Sequence, residues 1–74
     1  MDMEYVTVRF ADDRTVFING KDSGRTNEIL RIGTGTQEFD LGEPRNYRPE
    51  KVQRVIENTN ALDPAVVEFQ KVSV

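Results

Sequence analysis

Residues 16–41, VFINGKDSGRTNEILRIGTGTQEFDL, decide the fold. They read as three short strands joined by two glycine turns. Val16 and Ile18 share one face of the first strand and Phe17 lies on the other. A period of two in β-branched and aromatic residues marks a strand with one buried face. Asn19-Gly20 is the strongest hairpin signal in the chain, because both residues tolerate positive φ. With the second glycine, Gly24, it predicts one exposed turn loop over residues 19–26. A strand over 29–32 follows, with Leu30 and Ile32 inward. Gly33-Thr34-Gly35 turns the chain again, each glycine supplying the positive φ of a turn. Residues 37–41 return with Phe39 and Leu41 inward and Glu38 and Asp40 in water, which predicts a second hairpin.

Outward from this stretch the pattern holds. Residues 3–10, MEYVTVRF, send Val6, Val8 and Phe10 one way and Tyr5, Thr7 and Arg9 the other. Ala11-Asp12-Asp13 interrupts with turn formers, and alternation resumes from Arg14 to Asn19. The short connection predicts an antiparallel hairpin between strands 3–10 and 14–19. On the other side, residues 42–49, GEPRNYRP, form a loop, from which Tyr47 packs its ring back on the sheet. Residues 50–57, EKVQRVIE, fit two readings. Val52, Val55 and Ile56 have helical spacing after Pro49, but the segment is barely two turns long. Val52 and Ile56 also share a strand face, and the strand is the preferred reading. Residues 58–64 are a loop. Residues 65–74 close the chain as a strand with Val67 and Phe69 on one face and Val66 and Val72 on the other. That strand is either central or an edge completed by another molecule. The whole predicts an all-β fold, a small antiparallel β-sandwich of about six to seven strands, with 50–57 strand or short helix.

Composition narrows the function. At 74 residues the chain is one domain, 1–74, and a domain this small buries about 60 % of its unfolded surface. It has no cysteine and no histidine, so neither a disulfide nor a structural zinc site supplements the core. A net charge of −3 and a pI near 4.8 argue against nucleic acid as a partner. No apolar run approaches the ~20 residues that cross a bilayer. Met1-Asp2-Met3-Glu4 has neither the basic nor the apolar region of a signal peptide, which predicts a cytoplasmic protein. A piece of a secreted or surface protein is the alternative.

Reactive constellations are missing. Without His or Cys, the commonest general base and the thiol nucleophile are gone. Ser23 lies in a turn and Ser73 at the C-terminus, and neither has a nucleophile-elbow setting. Setting Gly24 at the sixth position of an EF-hand puts Lys21 at a ligand position and Leu30 where a bidentate Glu is required. Gly33-Thr34-Gly35-Thr36 lacks the spacing and the Lys of a phosphate loop. The expectation is therefore no enzyme, no cofactor and no metal.

What remains are contact residues. Tyr5 and Phe17 lie opposite the main apolar stripes, so they form either a second core face or an aromatic patch for a partner. Arg45, Arg48, Lys51 and Arg54 read as a solvated face or as a dock for an acidic partner. Arg45, Tyr47 and Arg48, with Asn46 between them, are candidates for a small-ligand or carbohydrate site. Long apolar strands at the termini would pair with another chain if left at sheet edges.

The central stretch resembles the PEGA domain family. Phe17-Ile18-Asn19-Gly20 matches its first motif and Gly24-Arg25-Thr26 its second. Leu30, Ile32, the turn at Gly33 and Gly35, then Phe39 and Leu41 follow in register, and Tyr47 stands for a later tyrosine. The match covers residues 14–57. It departs at Asp12-Asp13-Arg14-Thr15, where the name-giving residues are absent, at Asn27 in place of proline, and at Asn46 in place of glycine. The resemblance implies a small β-sandwich module of bacterial or archaeal type with no shared catalytic residues. The resulting expectation is a non-enzymatic protein-interaction or scaffolding module that can self-associate through its terminal strands. The alternatives are a small-ligand or carbohydrate-binding module and a small acidic antagonist, whose complex would weaken with salt.

Overall fold

The computed structural model describes residues 3–72, and these hold nine strands and no helix. They are β1 (Met3–Arg9), β2 (Thr15–Ile18), β3 (Lys21–Arg25), β4 (Ile29–Gly33), β5 (Gly35–Asp40), β6 (Tyr47–Arg48), β7 (Val52–Ile56), β8 (Ala65–Glu68) and β9 (Gln70–Lys71). A three-stranded sheet runs β4-β1-β8 and a four-stranded sheet β3-β2-β5-β7, with β6-β9 as a two-stranded ribbon. The all-β, sandwich-like architecture is the expected one.

Alternation built the core where it was read. Val6, Val8 and Phe10, with Leu30, Ile32, Val67 and Phe69, supply one layer, and Val16, Ile18, Phe39, Leu41 and Ile56 supply the other. At one end Tyr47 sits edge-on between Phe10 and Phe69, with ring centroids 6.2 and 5.3 Å away. Residues 50–57 resolve as strand, with Ile56 fully buried and Val52 packed on the core.

Pairing differs from the sequence reading at four places. The first hairpin does not form: β1 lies centrally between β4 and β8, and β2 belongs to the other sheet. Asn27 is the reason. Its Oδ1 accepts from Phe10 N at 3.2 Å and its Nδ2 donates to Phe10 O at 3.0 Å, so a side chain satisfies the main chain where β1 ends. The Thr26 hydroxyl likewise accepts from Arg14 N and donates to Asp12 O, which fixes the corner between the sheets. The loop expected over 19–26 shrinks to Asn19-Gly20, with φ of 53° and 81°. After it, β3 pairs back on β2.

The second expected hairpin is also absent. β4 pairs with β1 while β5 pairs with β2 and β7. Thr34 alone separates β4 from β5, too few residues for the common two-residue hairpin turn. Gly35 has φ of 125°, whereas Gly33 is not in the positive-φ region expected of it. Finally, the last strand is broken at Phe69 into β8 and β9, and β8 runs parallel to β1. Residues 73 and 74, with Ser73, lie outside the described residues. The strand count rises to nine because 21–25 is a strand and the last strand is split.

Candidate interaction surface

The loop expected to carry a ligand site is instead tied to the core. Arg14, just before β2, reaches across it. Its Nη1 donates to Asn46 Oδ1 at 2.6 Å, and Nη2 faces the carbonyls of Leu41, Gly42 and Pro44 at 3.1, 3.3 and 2.9 Å. The guanidinium also lies over the rings of Phe10 and Tyr47, 5.7 and 5.2 Å from their centroids. Tyr47 is 2 % exposed. Its hydroxyl donates to Gly42 O at 3.0 Å and accepts from Leu41 N at 3.2 Å and Arg45 Nη1 at 3.1 Å. The peptide bonds Glu43-Pro44 and Arg48-Pro49 are cis. Tyr47 packs on the sheet as its sequence position predicts, and for that reason its ring has no free face on which a sugar could stack.

The other candidates scatter. Phe17 is half-buried on the outer side of the four-stranded sheet, opposite Asp40, with the Gly42 backbone laid against its ring. Arg45 and Arg48 are exposed, and Arg45 faces Glu43 at 3.9 Å. Lys51 pairs with Glu38 at 3.5 Å, and Arg54 Nη1 donates to Val66 O at 3.0 Å. The basic residues of 45–54 therefore do not form one patch. Asn19, Gly20 and Gly24 serve turn and edge geometry, as do Gly33 and Gly35 at the corner.

Tyr5 is the one sequence candidate that the fold gives neighbours of its own kind. It is half-buried on the outer face of the three-stranded sheet. Register places Arg31 beside it, and in the next row Ile29, Thr7 and Val66 lie abreast on β4, β1 and β8. Met3, Ile29 and Val66 are 42, 53 and 44 % exposed. This face holds three of the five large hydrophobic side chains left in solvent among the described residues; the others are Val55 and Leu62. The sequence missed Ile29 and Arg31 as contact residues. The only signal was their position between the inward Leu30 and Ile32.

A buried carboxylate closes one end of this sheet. Glu4 is 7 % exposed. Its Oε1 accepts from Thr59 N at 2.9 Å and from the Thr59 hydroxyl at 2.5 Å, and Oε2 accepts from the Thr34 hydroxyl at 2.7 Å. Tyr5 N in turn donates to Thr59 Oγ1 at 2.7 Å. Donation from the Thr59 hydroxyl, then from its backbone N–H and from Thr34, holds the Glu4 carboxyl below its ordinary range. Glu4 is thereby a clamp on three segments. Among the described residues no buried side-chain polar atom lacks a partner, and no cluster of three acidic residues could hold a metal. An open cleft of about 310 Å³ lies between Arg9-Phe10-Ala11 and Glu68–Lys71. Among the described residues no helix is long and apolar enough to cross a membrane.

No family model matches the chain, and neither a curated protein nor a solved structure shows significant similarity to it.

Proposed function

We propose that the protein is a non-enzymatic interaction module whose contact surface is the outer face of the three-stranded sheet. One observation carries this reading: Met3, Ile29 and Val66 stay exposed on one sheet face beside Tyr5. The polar side chains buried elsewhere are internally satisfied. Exposed apolar side chains gathered on one face mark a contact site more often than ones scattered singly do. The resemblance to the PEGA family supports the same reading, because that family shares no catalytic residues. Burial of Tyr47 weighs against the carbohydrate alternative.

The test is site-specific photo-crosslinking in the native host. A photoreactive residue in place of Val66 or Ile29 should give a discrete adduct with one partner. The same residue in place of Gln53, exposed on the other sheet, should give none. Equal labelling from both sheets, or no adduct from either, would refute the reading.

A further inference from the structure

The hydrogen-bond pattern of β1 reveals which edge of the sheet is open. Tyr5 N donates to Thr59 Oγ1, and Arg9 O accepts from Phe69 N, both on the β8 side. Val8 O accepts from Asn27 N, on the β4 side. Main-chain groups of a strand alternate sides, so Tyr5 and Thr7 direct theirs toward β8. Their antiparallel partners Arg31 and Ile29 then direct theirs away from β1. No third strand meets them: β4 ends the sheet, and among the described residues no hydrogen bond joins the main chain of Ile29 or Arg31 to a neighbour beyond β1.

β8 and β3 carry features that blunt an edge. Arg54 on β7 donates to the Val66 carbonyl of β8, which occupies one outward main-chain group of that edge. β3 carries a bulge opposite Val16 and Phe17, and Gly24 within it has φ of 135°. Bulges and covering charges are the devices by which proteins protect edges. β4 has neither.

Its side chains indicate what would pair there. Ile29 and Arg31 alternate on the outer face, and Arg31 has no carboxylate partner among the described residues. Glu28 precedes the strand and its charge acts on Arg25. A second copy of this chain is a poor occupant. Antiparallel pairing over all of β4 would set Ile29 against Gly33 of the copy and Arg31 against its own equivalent. Directly opposed like charges destabilise a strand pair, and the shifted register that avoids this, Ile29 against Arg31, gives up one of the three pairs whose main chains face the copy.

We propose that β4 accepts an extended segment of another protein as an added strand, with an Asp or Glu beside Arg31 and an apolar side chain beside Ile29. Strand addition of this kind takes its affinity from the main chain and its specificity from alternate side chains. The proposal rests on the interaction-module reading and names the partner's chemistry.

The experiment is selection of random dodecapeptides displayed on phage against the immobilised protein. Selected peptides should alternate, with an acidic residue two positions from an apolar one. Binding should slow hydrogen exchange at the Ile29 and Arg31 amides. Arg31→Glu, on an exposed side chain, should weaken binding about tenfold or more. Reselection on that variant should turn toward Lys and Arg. Peptides without acidic preference, protection at other amides, no enrichment at all, or a homodimer protecting these same amides would each overturn the proposal. If Val66 still crosslinks a partner while the β4 edge binds no peptide, the module reading stands and the strand-addition proposal falls.

Discussion

Arg14→Met removes the guanidinium that fastens the 41–46 loop while keeping most of the apolar stem. Its cost can be worked from the contacts. Nη2 faces three carbonyls but has two hydrogens, so it satisfies at most two well at any moment. Nη1 adds the Asn46 bond. Charged donors contribute about 1.5–3 kcal/mol per bond when buried. Arg14 is only half-buried and the Pro44 contact is exposed, so about 1 kcal/mol each is the better figure. Two cation–π contacts add about 0.5 kcal/mol apiece. The expected loss is about 3–4 kcal/mol, out of roughly 4–11 kcal/mol for a domain of this length. Urea unfolding followed by tyrosine fluorescence, without interference from tryptophan, measures it directly. Arg14→Lys keeps the charge but cannot spread across Asn46 and the carbonyls, so it should lose at least half as much. If Arg14→Met unfolds within about 1 kcal/mol of the parent at unchanged m, the loop is held by Tyr47 packing and not by Arg14.

Four further outcomes follow from the same contacts. Tyr47→Phe keeps the ring but orphans the buried Leu41 N–H, which should cost about 1–3 kcal/mol in urea unfolding. The folded Glu4 carboxyl titrates below its unfolded value, so its contribution is complete above the ordinary carboxylate range and disappears as pH falls through the lowered value. Glu4→Gln should therefore flatten the acid limb of a plot of urea midpoint against pH. At Gly24 a Cβ would meet Leu30 Cδ2 at 2.5 Å at φ of 135°, whereas at Gly20 nothing lies within 4 Å. Gly24→Ala should thus lower stability by about 2 kcal/mol or more, and Gly20→Ala by about 1 kcal/mol. Ile29→Thr should stay within about 0.5 kcal/mol of the parent in thermal unfolding while abolishing the adduct formed by a photoreactive residue at position 66.

Facing was legible in the sequence because burial in a strand has a period of two, and a local pattern records it. Every inward assignment in residues 5–41 holds: Val6, Val8, Phe10, Val16, Ile18, Leu30, Ile32, Phe39 and Leu41 are all buried. Pairing was not legible, because it depends on which groups take over the main chain at the strand ends. Asn27 looks like a loop residue, yet its amide stands in for a strand beside Phe10. Thr26 and Thr34 fix corners through hydroxyls whose acceptors lie 14 and 30 residues away. Arg14 reads as one more outward strand residue until the 41–46 carbonyls are brought to it. The Asn19-Gly20 turn succeeded because its requirement, positive φ at two successive residues, is met within the turn itself.

The candidate surface divides along the same line. That Ile29, Arg31 and Val66 face away from the core follows from their alternation with Leu30, Ile32 and Val67. That Tyr47 is buried does not follow, because an aromatic in a proline-rich loop carries no mark of the pocket that Phe10, Phe69 and Arg14 make around it. Edge status is less local still. The terminal strands were the natural candidates for open edges, being apolar and at the chain ends. The parallel pairing of β8 on β1 instead buries the first strand in mid-sheet, and Arg54, 12 residues away in sequence, covers the Val66 carbonyl of the last. β4, an internal strand bounded by corners on both sides, is left at an edge of its sheet. A contact surface that depends on which strand is left unpaired is a property of the whole topology, so it becomes visible only when every other strand has been placed.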